Sequence, residues 1–129
     1  MSRVTPDVER VVSDYEDLWN GDLSKLDVVS ESVAFYAPVD EIHGRDALEE
    51  FLREQAAAFP DIEYETHDTL VGDELVMQDW TWTGTHEGEF ADVQRTGEGV
   101  VLRGMHKLVI EEGEVREDWT SFDSRDFVD

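Results

Sequence analysis

The apolar residues of this chain change their spacing once, near Ile62, and that change limits the fold classes open to it. Before it, Val8, Val11, Val12, Tyr15, Leu18 and Trp19 recur every three or four residues, as one buried helix face requires. Thr5 is placed to cap that helix, Pro6 suits its first position, and Asp7 and Glu9 favour the positive end of its dipole. Asn20-Gly21 supplies the stop. A short second helix is expected from Leu23 to about Val29, and a β-type stretch from Ser32 to Ala37 ends at Pro38. His43-Gly44-Arg45-Asp46 then leads into a third helix, with Ala47, Leu48, Phe51, Leu52 and Phe59 near one face and Pro60-Asp61 at its end. From Ile62 onward the pattern is one of strands, punctuated at Gly72-Asp73, around Gly84 to Gly88, at Gly97 to Gly99 and at Glu112-Gly113. Helices first and a meander after predict an α+β fold, with the helices packed on a strongly curved antiparallel sheet.

A chain of 129 residues is long enough for one real core and too short for two, so one domain over 1–129 is expected. No apolar run reaches bilayer-spanning length, and the polar start Met1-Ser2-Arg3 lacks the apolar region of a signal peptide. The expected location is therefore the cytoplasm. With no cysteine in the chain, disulfides, thiolate metal sites and a cysteine nucleophile are excluded. Ten Lys and Arg against 33 Asp and Glu leave a formal charge of −23, whose self-repulsion works against a compact state in dilute buffer. The acids are spread along the chain, with no localised patch for a basic partner. Molar salt, which cuts the Debye length to about 3 Å, makes such a surface tolerable. In this the composition resembles that of salt-in halophile proteins. Nucleic acid and anionic membranes would be repelled as partners.

Several segments follow one another in a recognisable order. These are Phe59-Pro60-Asp61, the run Trp80-Thr81-Trp82-Thr83-Gly84-Thr85-His86-Glu87-Gly88-Glu89-Phe90, Thr96-Gly97, and a hairpin at Gly113 leading to Glu117-Asp118-Trp119 and Asp123. In order and spacing they resemble the SnoaL-like polyketide cyclase family over nearly the whole chain. The resemblance implies the nuclear-transport-factor-2-like fold shared with ketosteroid isomerase, a cone around a deep apolar pocket, and a homodimer or larger assembly through the outer sheet face. It also implies ring closure by an intramolecular aldol step on a small, hydrophobic, carbonyl-containing ligand, with no metal or organic cofactor. A fold of this kind also carries isomerases, hydrolases and plain binding proteins, so a non-catalytic protein that binds a hydrophobic metabolite is the alternative.

Counting back from Gly113, the family pattern places its pocket histidine on His106. Counting forward, it places the acid/base aspartate on Thr120, which cannot abstract a carbon-bound proton at neutral pH. Asp118, two residues earlier and so on the same face of its strand, is the substitute. Walled by Trp80 or Trp82, its carboxyl would be desolvated and its pKa raised, with His106 polarising the carbonyl oxygen. The plainer alternative is a structural His–Asp pair or a solvated Asp118. Asp123 is a further candidate, against a capping role in the turn Ser124-Arg125-Asp126. Trp80 and Trp82 share one strand face as pocket wall or core, and Tyr15, Trp19 and Tyr36 are core aromatics that can extend that wall. His43 and His86, in turns beside Gly, form no metal-binding spacing with His106 and are expected to be exposed. The Gly97-Glu98-Gly99 stretch is a turn rather than a phosphate loop, and no GxSxG elbow is present.

Overall fold

The computed structural model describes residues 6–38, 40–88 and 97–122. Helix α1 spans Pro6–Trp19 and is followed by a 3₁₀ turn at Leu23–Val28, strands β1 (Val29–Tyr36) and β2 (Glu41–His43), and helix α2 (Arg45–Ala58). Four long strands complete the chain: β3 (Glu63–Gly72), β4 (Leu75–Thr85), β5 (Gly99–Glu111) and β6 (Glu114–Phe122). These bounds follow the periodicities closely. Thr5, the expected cap of α1, lies outside the described residues, as does the segment 89–96 with Phe90 and Thr96.

The six strands form one open sheet in the order β2-β1-β6-β5-β4-β3. The sheet is mixed: every neighbouring pair is antiparallel except β1–β6, which is parallel. That pairing joins segments far apart in the sequence, so no local pattern announces it. Both helices contribute apolar stripes to the core, Val11, Tyr15, Leu18 and Trp19 from α1 and Leu48, Leu52 and Ala58 from α2. The strands answer with their inward positions, which on β4 are Val76, Gln78, Trp80 and Trp82 and on β5 are Val100, Leu102, His106, Leu108 and Ile110.

Three local devices position the future site. First, Asn20 at the end of α1 acts as a backbone mimic. Its side-chain amide donates to the Tyr64 carbonyl at 2.8 Å and accepts from the Tyr64 N–H at 2.8 Å, while Glu16 accepts from the Thr66 N–H at 3.0 Å. The edge of β3 is thus occupied by helix side chains instead of being left open. Second, Glu112 and Gly113 both adopt positive φ, 53° and 78°, in the two-residue turn between β5 and β6. That is the geometry whose twist suits a tight hairpin, and it sets the register of the two strands.

Third, the β5–β6 ladder carries a bulge. Ile110 pairs with Val115, but Val109 pairs with Glu117, so one extra β6 residue is inserted. Val115 is buried and faces the core. Strict alternation from it would turn Glu117 and Trp119 inward and Asp118 out. The inserted residue reverses the parity, so Asp118 is buried and Trp119 is exposed.

Gly104 is required by packing. A Cβ there would come within 2.5 Å of both the Ser121 carbonyl oxygen and the Trp80 ring. Its absence lets the Trp80 indole lie across β5 and reach the pocket.

Candidate functional site

Between the helices and the core-facing side of the sheet lies a small apolar pocket of about 50 Å³, open at its mouth. Trp19, Phe35 and Phe51 form one side, and Tyr64, Trp80 and Trp82 another. Leu102 and Phe122 add to the wall, and the polar lining comes from Gln55, Asp118 and Thr120. The aromatic rings support one another, with centroid separations of 5.3 Å for Trp19–Phe35, 5.7 Å for Tyr64–Trp80 and 5.9 Å for Trp80–Phe122. Trp80 and Trp82 are therefore both core and wall, since the core is continuous with the pocket.

Asp118 is 2% exposed. Its Oδ2 accepts a short hydrogen bond from the Tyr15 hydroxyl, and its Oδ1 accepts from Thr120 Oγ1 at 2.7 Å. A carboxylate has about four lone-pair positions, so these two donors orient it without saturating it. Burial pushes its pKa above the usual carboxylate range, and the nearby His106 and the hydrogen bonds from Tyr15 and Thr120 partly oppose that rise. Tyr15 is itself driven well above its ordinary pKa by burial and by the Asp118 charge, so it stays a donor.

His106 is buried on β5, but it neither touches Asp118 through a hydrogen bond nor lines the pocket. Its Nε2 lies 2.7 Å from Gln78 Oε1, and its Nδ1 lies 3.2 Å from the Tyr64 hydroxyl. Gln78 Nε2 donates to Thr69 Oγ1 at 3.0 Å, and its amide oxygen faces the ring. A neutral imidazole with its proton on Nε2 satisfies every partner, with Tyr64 donating to Nδ1. Burial lowers the His106 pKa, Asp118 opposing, and so favours that neutral form. Both His106 nitrogens are engaged within the protein, and what the ring orients is Tyr64.

Tyr36 also departs from expectation. Val33 and Phe35 point inward from β1, so alternation puts Tyr36 on the opposite, outer face, where it stacks on Trp119 at 4.1 Å. Phe35 takes the place in the wall that Tyr36 was expected to fill. Tyr15 stands behind the wall, under Asp118, while Trp19 lines the pocket directly. Asp123 lies outside the described residues.

Of the turn histidines, His43 is exposed beside Glu41, but His86 is 4% exposed and stacked on Phe59. Among the described residues, no three His, Asp or Glu side chains gather as metal ligands would. No described helix is long and apolar enough to cross a membrane.

Sequence reasoning missed Tyr64, Gln78 and Gln55. A signal existed for the two glutamines. Gln78 shares the inward parity of Trp80 and Trp82, and Gln55 falls at helical spacing from Leu48 and Leu52.

The comparison with known families bears directly on this pocket, because the family model for SnoaL-like polyketide cyclase matches residues 9–127, from the first helix to beyond the strand that carries Asp118. The chain belongs to the SnoaL-like polyketide cyclase family. Solved structures agree with the family's nuclear-transport-factor-2-like fold. TsrD from Streptomyces laurentii superposes with a TM-score of 0.82 at 17% identity, over 94% of this chain and 92% of that one. IdmH, a candidate polyketide cyclase from Streptomyces antibioticus, gives 0.77 at 20% identity over 96% of each chain. AclR, a candidate hydroxylase from Streptomyces galilaeus, gives 0.77 at 26% identity, over 93% of this chain and 77% of its own. No curated protein matches the chain. Small-molecule substrates are the rule in the SnoaL-like family, and the aromatic pocket is the feature of this member that suits one.

Proposed function

We propose that this SnoaL-like chain is a cofactor-free enzyme that cyclises or isomerises a small, largely apolar carbonyl compound, with Asp118 as its acid/base. One observation carries the reading. Among the described pocket-lining residues only Asp118 and Tyr64 ionise, and burial drives Tyr64 well above its ordinary pKa. Asp118 is thus the described lining group suited to act as a base, and its raised pKa makes it a stronger base toward a carbon acid than a surface carboxylate.

In the proposed reaction, Asp118 takes a proton from the carbon next to the substrate carbonyl, and the C–H electron pair moves to make an enolate. The enolate carbon then attacks a second carbonyl of the same molecule, forming the ring bond, or is reprotonated elsewhere, giving an isomer. In both cases the proton held by Asp118 is returned, so the enzyme ends as it began. A carboxylate suffices for this proton transfer, and the chemistry calls for no metal or organic cofactor. Thr120 supports the base by hydrogen bonding, and Tyr15 does so from behind the wall.

The test uses 2-tetralone, a small aromatic ketone with acidic α-protons. In D₂O at molar salt, the protein should speed loss of the α-proton NMR signal at least about a hundredfold over an equal concentration of free carboxylate, the low end of general-base effects. Exchange at the buffer rate with binding retained would instead support the non-catalytic binding protein.

Assembly as a homodimer through the outer sheet face also belongs to this proposal. Leu70, Met77 and Trp119 are exposed there, and the register aligns them with Lys107 and Tyr36 in one row across five strands. Large apolar and aromatic side chains exposed side by side are a common mark of an interface, and Lys107 in the middle of the row lies over the Trp119 ring. Sedimentation at molar salt should give twice the monomer mass for the native chain and the monomer mass for Met77→Glu; a native monomer contradicts the assignment.

A further inference from the structure

The core-facing positions of α2 include Leu48, Leu52, Gln55 and Ala58. Three are apolar and the fourth is glutamine, a residue type rarely buried without a partner. Gln55 is only 6% exposed, and its side-chain amide makes no hydrogen bond with any described residue. The indole N–H of Trp80, also without an acceptor among the described residues, is sealed inside the wall. The Gln55 amide is not sealed, and the free space it meets is the pocket.

A leucine at position 55 would continue the apolar stripe at no polar cost. Keeping an unpaired amide there disfavours the fold unless the amide is used when the pocket is filled. Apart from Asp118 and Thr120, which donates its hydroxyl to Asp118, the described wall around it is aromatic and aliphatic. Asp118 enters from β6 and Gln55 from α2, so the two polar groups meet the cavity from different elements.

We infer that the Gln55 amide is the polar anchor of the pocket, donating an N–H to an oxygen of the ligand and so orienting a largely apolar carbonyl compound toward Asp118. The inference rests on the small-molecule reading of the pocket and adds to it the residue that selects oxygen-bearing ligands over pure hydrocarbons. Asp118 cannot substitute for it above its own pKa, because a carboxylate accepts hydrogen bonds and does not donate them.

Two probes of the same size, 2-tetralone and tetralin, separate the possibilities. Dissociation constants are read by NMR titration of the indole N–H signals at pH 8 and molar salt. The native protein should bind 2-tetralone about tenfold more tightly than tetralin, the ratio expected from one hydrogen bond to a group otherwise left unpaired. In Gln55→Leu and in Gln55→Met, both close to glutamine in size, that preference should fall to about unity while tetralin affinity is kept or improved. Both variants should melt no lower than the native chain. An unchanged ketone preference in the two variants overturns the anchor, as does a native protein that binds both probes equally; each leaves the small-molecule pocket standing. A native protein that binds neither probe overturns the pocket reading, and the anchor with it.

Discussion

Replacing Asp118 with Asn is expected to cut the rate of α-proton exchange in 2-tetralone by about 10²- to 10⁴-fold, the usual range for loss of a positioned general base. The same variant should be more stable than the native chain at pH 8. Both effects have one cause. The native carboxyl is buried, and burial raises its pKa above that of the unfolded chain. Between those two values the folded state binds more protons than the unfolded one, so stability falls as pH rises, and the penalty is complete above the folded pKa. Asn occupies the same volume, can accept from Thr120 and donate toward the Tyr15 oxygen, and carries no charge. Melting curves of the two proteins should therefore diverge as pH rises from the ordinary carboxylate range to the raised value, stay apart above it, and converge below that range. A variant that melts lower than the native chain at pH 8 would show that the Asp118 charge is well compensated, which removes the basis for its enhanced basicity.

The second large effect is expected from salt. Of the 33 acidic residues, few meet a cation: among the described residues Arg10 and Lys25 share Asp14, Arg45 lies near Asp27 and Glu114, Arg53 pairs with Glu49, and Arg116 with Glu111. Each of these pairs has at least one well-exposed member, and such pairs contribute little on their own. The remaining negative charge repels across a small domain, with a Debye length of about 10 Å at 0.1 M salt and about 3 Å at 1 M. Circular dichroism should show structure being lost as NaCl is diluted from molar to millimolar concentration and recovered on its return. Full cooperative folding in millimolar salt contradicts this.

Much of the fold was legible because burial imposes periodicity. The stripe from Val8 to Trp19, the stop at Asn20-Gly21 and the turns at Gly72-Asp73 and Glu112-Gly113 all mark elements the structure contains. Strand β2 is only three residues long, too short for any alternation to register. The parallel β1–β6 pairing depends on contacts between distant segments, to which local pattern is blind. Tyr36 was misplaced although Val33 and Phe35, the alternate residues of its strand, already carried the parity that sends it outward.

For the site, a shared face for Asp118 and Thr120 follows from the two-residue period, and the structure places both on the pocket. Which face that is depends on the bulge between Val115 and Glu117, a feature with no sequence mark here. The partners of His106 were equally hidden. Gln78 reaches it across a strand pair, and Tyr64 reaches it from an edge strand held by Asn20. Such a network is visible only once register is known.

The most direct test of Asp118 as an ionised base in an apolar pocket is the pH dependence of 2-tetralone exchange by the native protein at constant molar salt. The rate should rise with pH along a single titration whose midpoint lies above the ordinary carboxylate range, and Asp118→Asn should abolish that titration. A rate that follows an unshifted carboxylate pKa, or one that keeps its pH dependence in Asp118→Asn, would contradict the assignment.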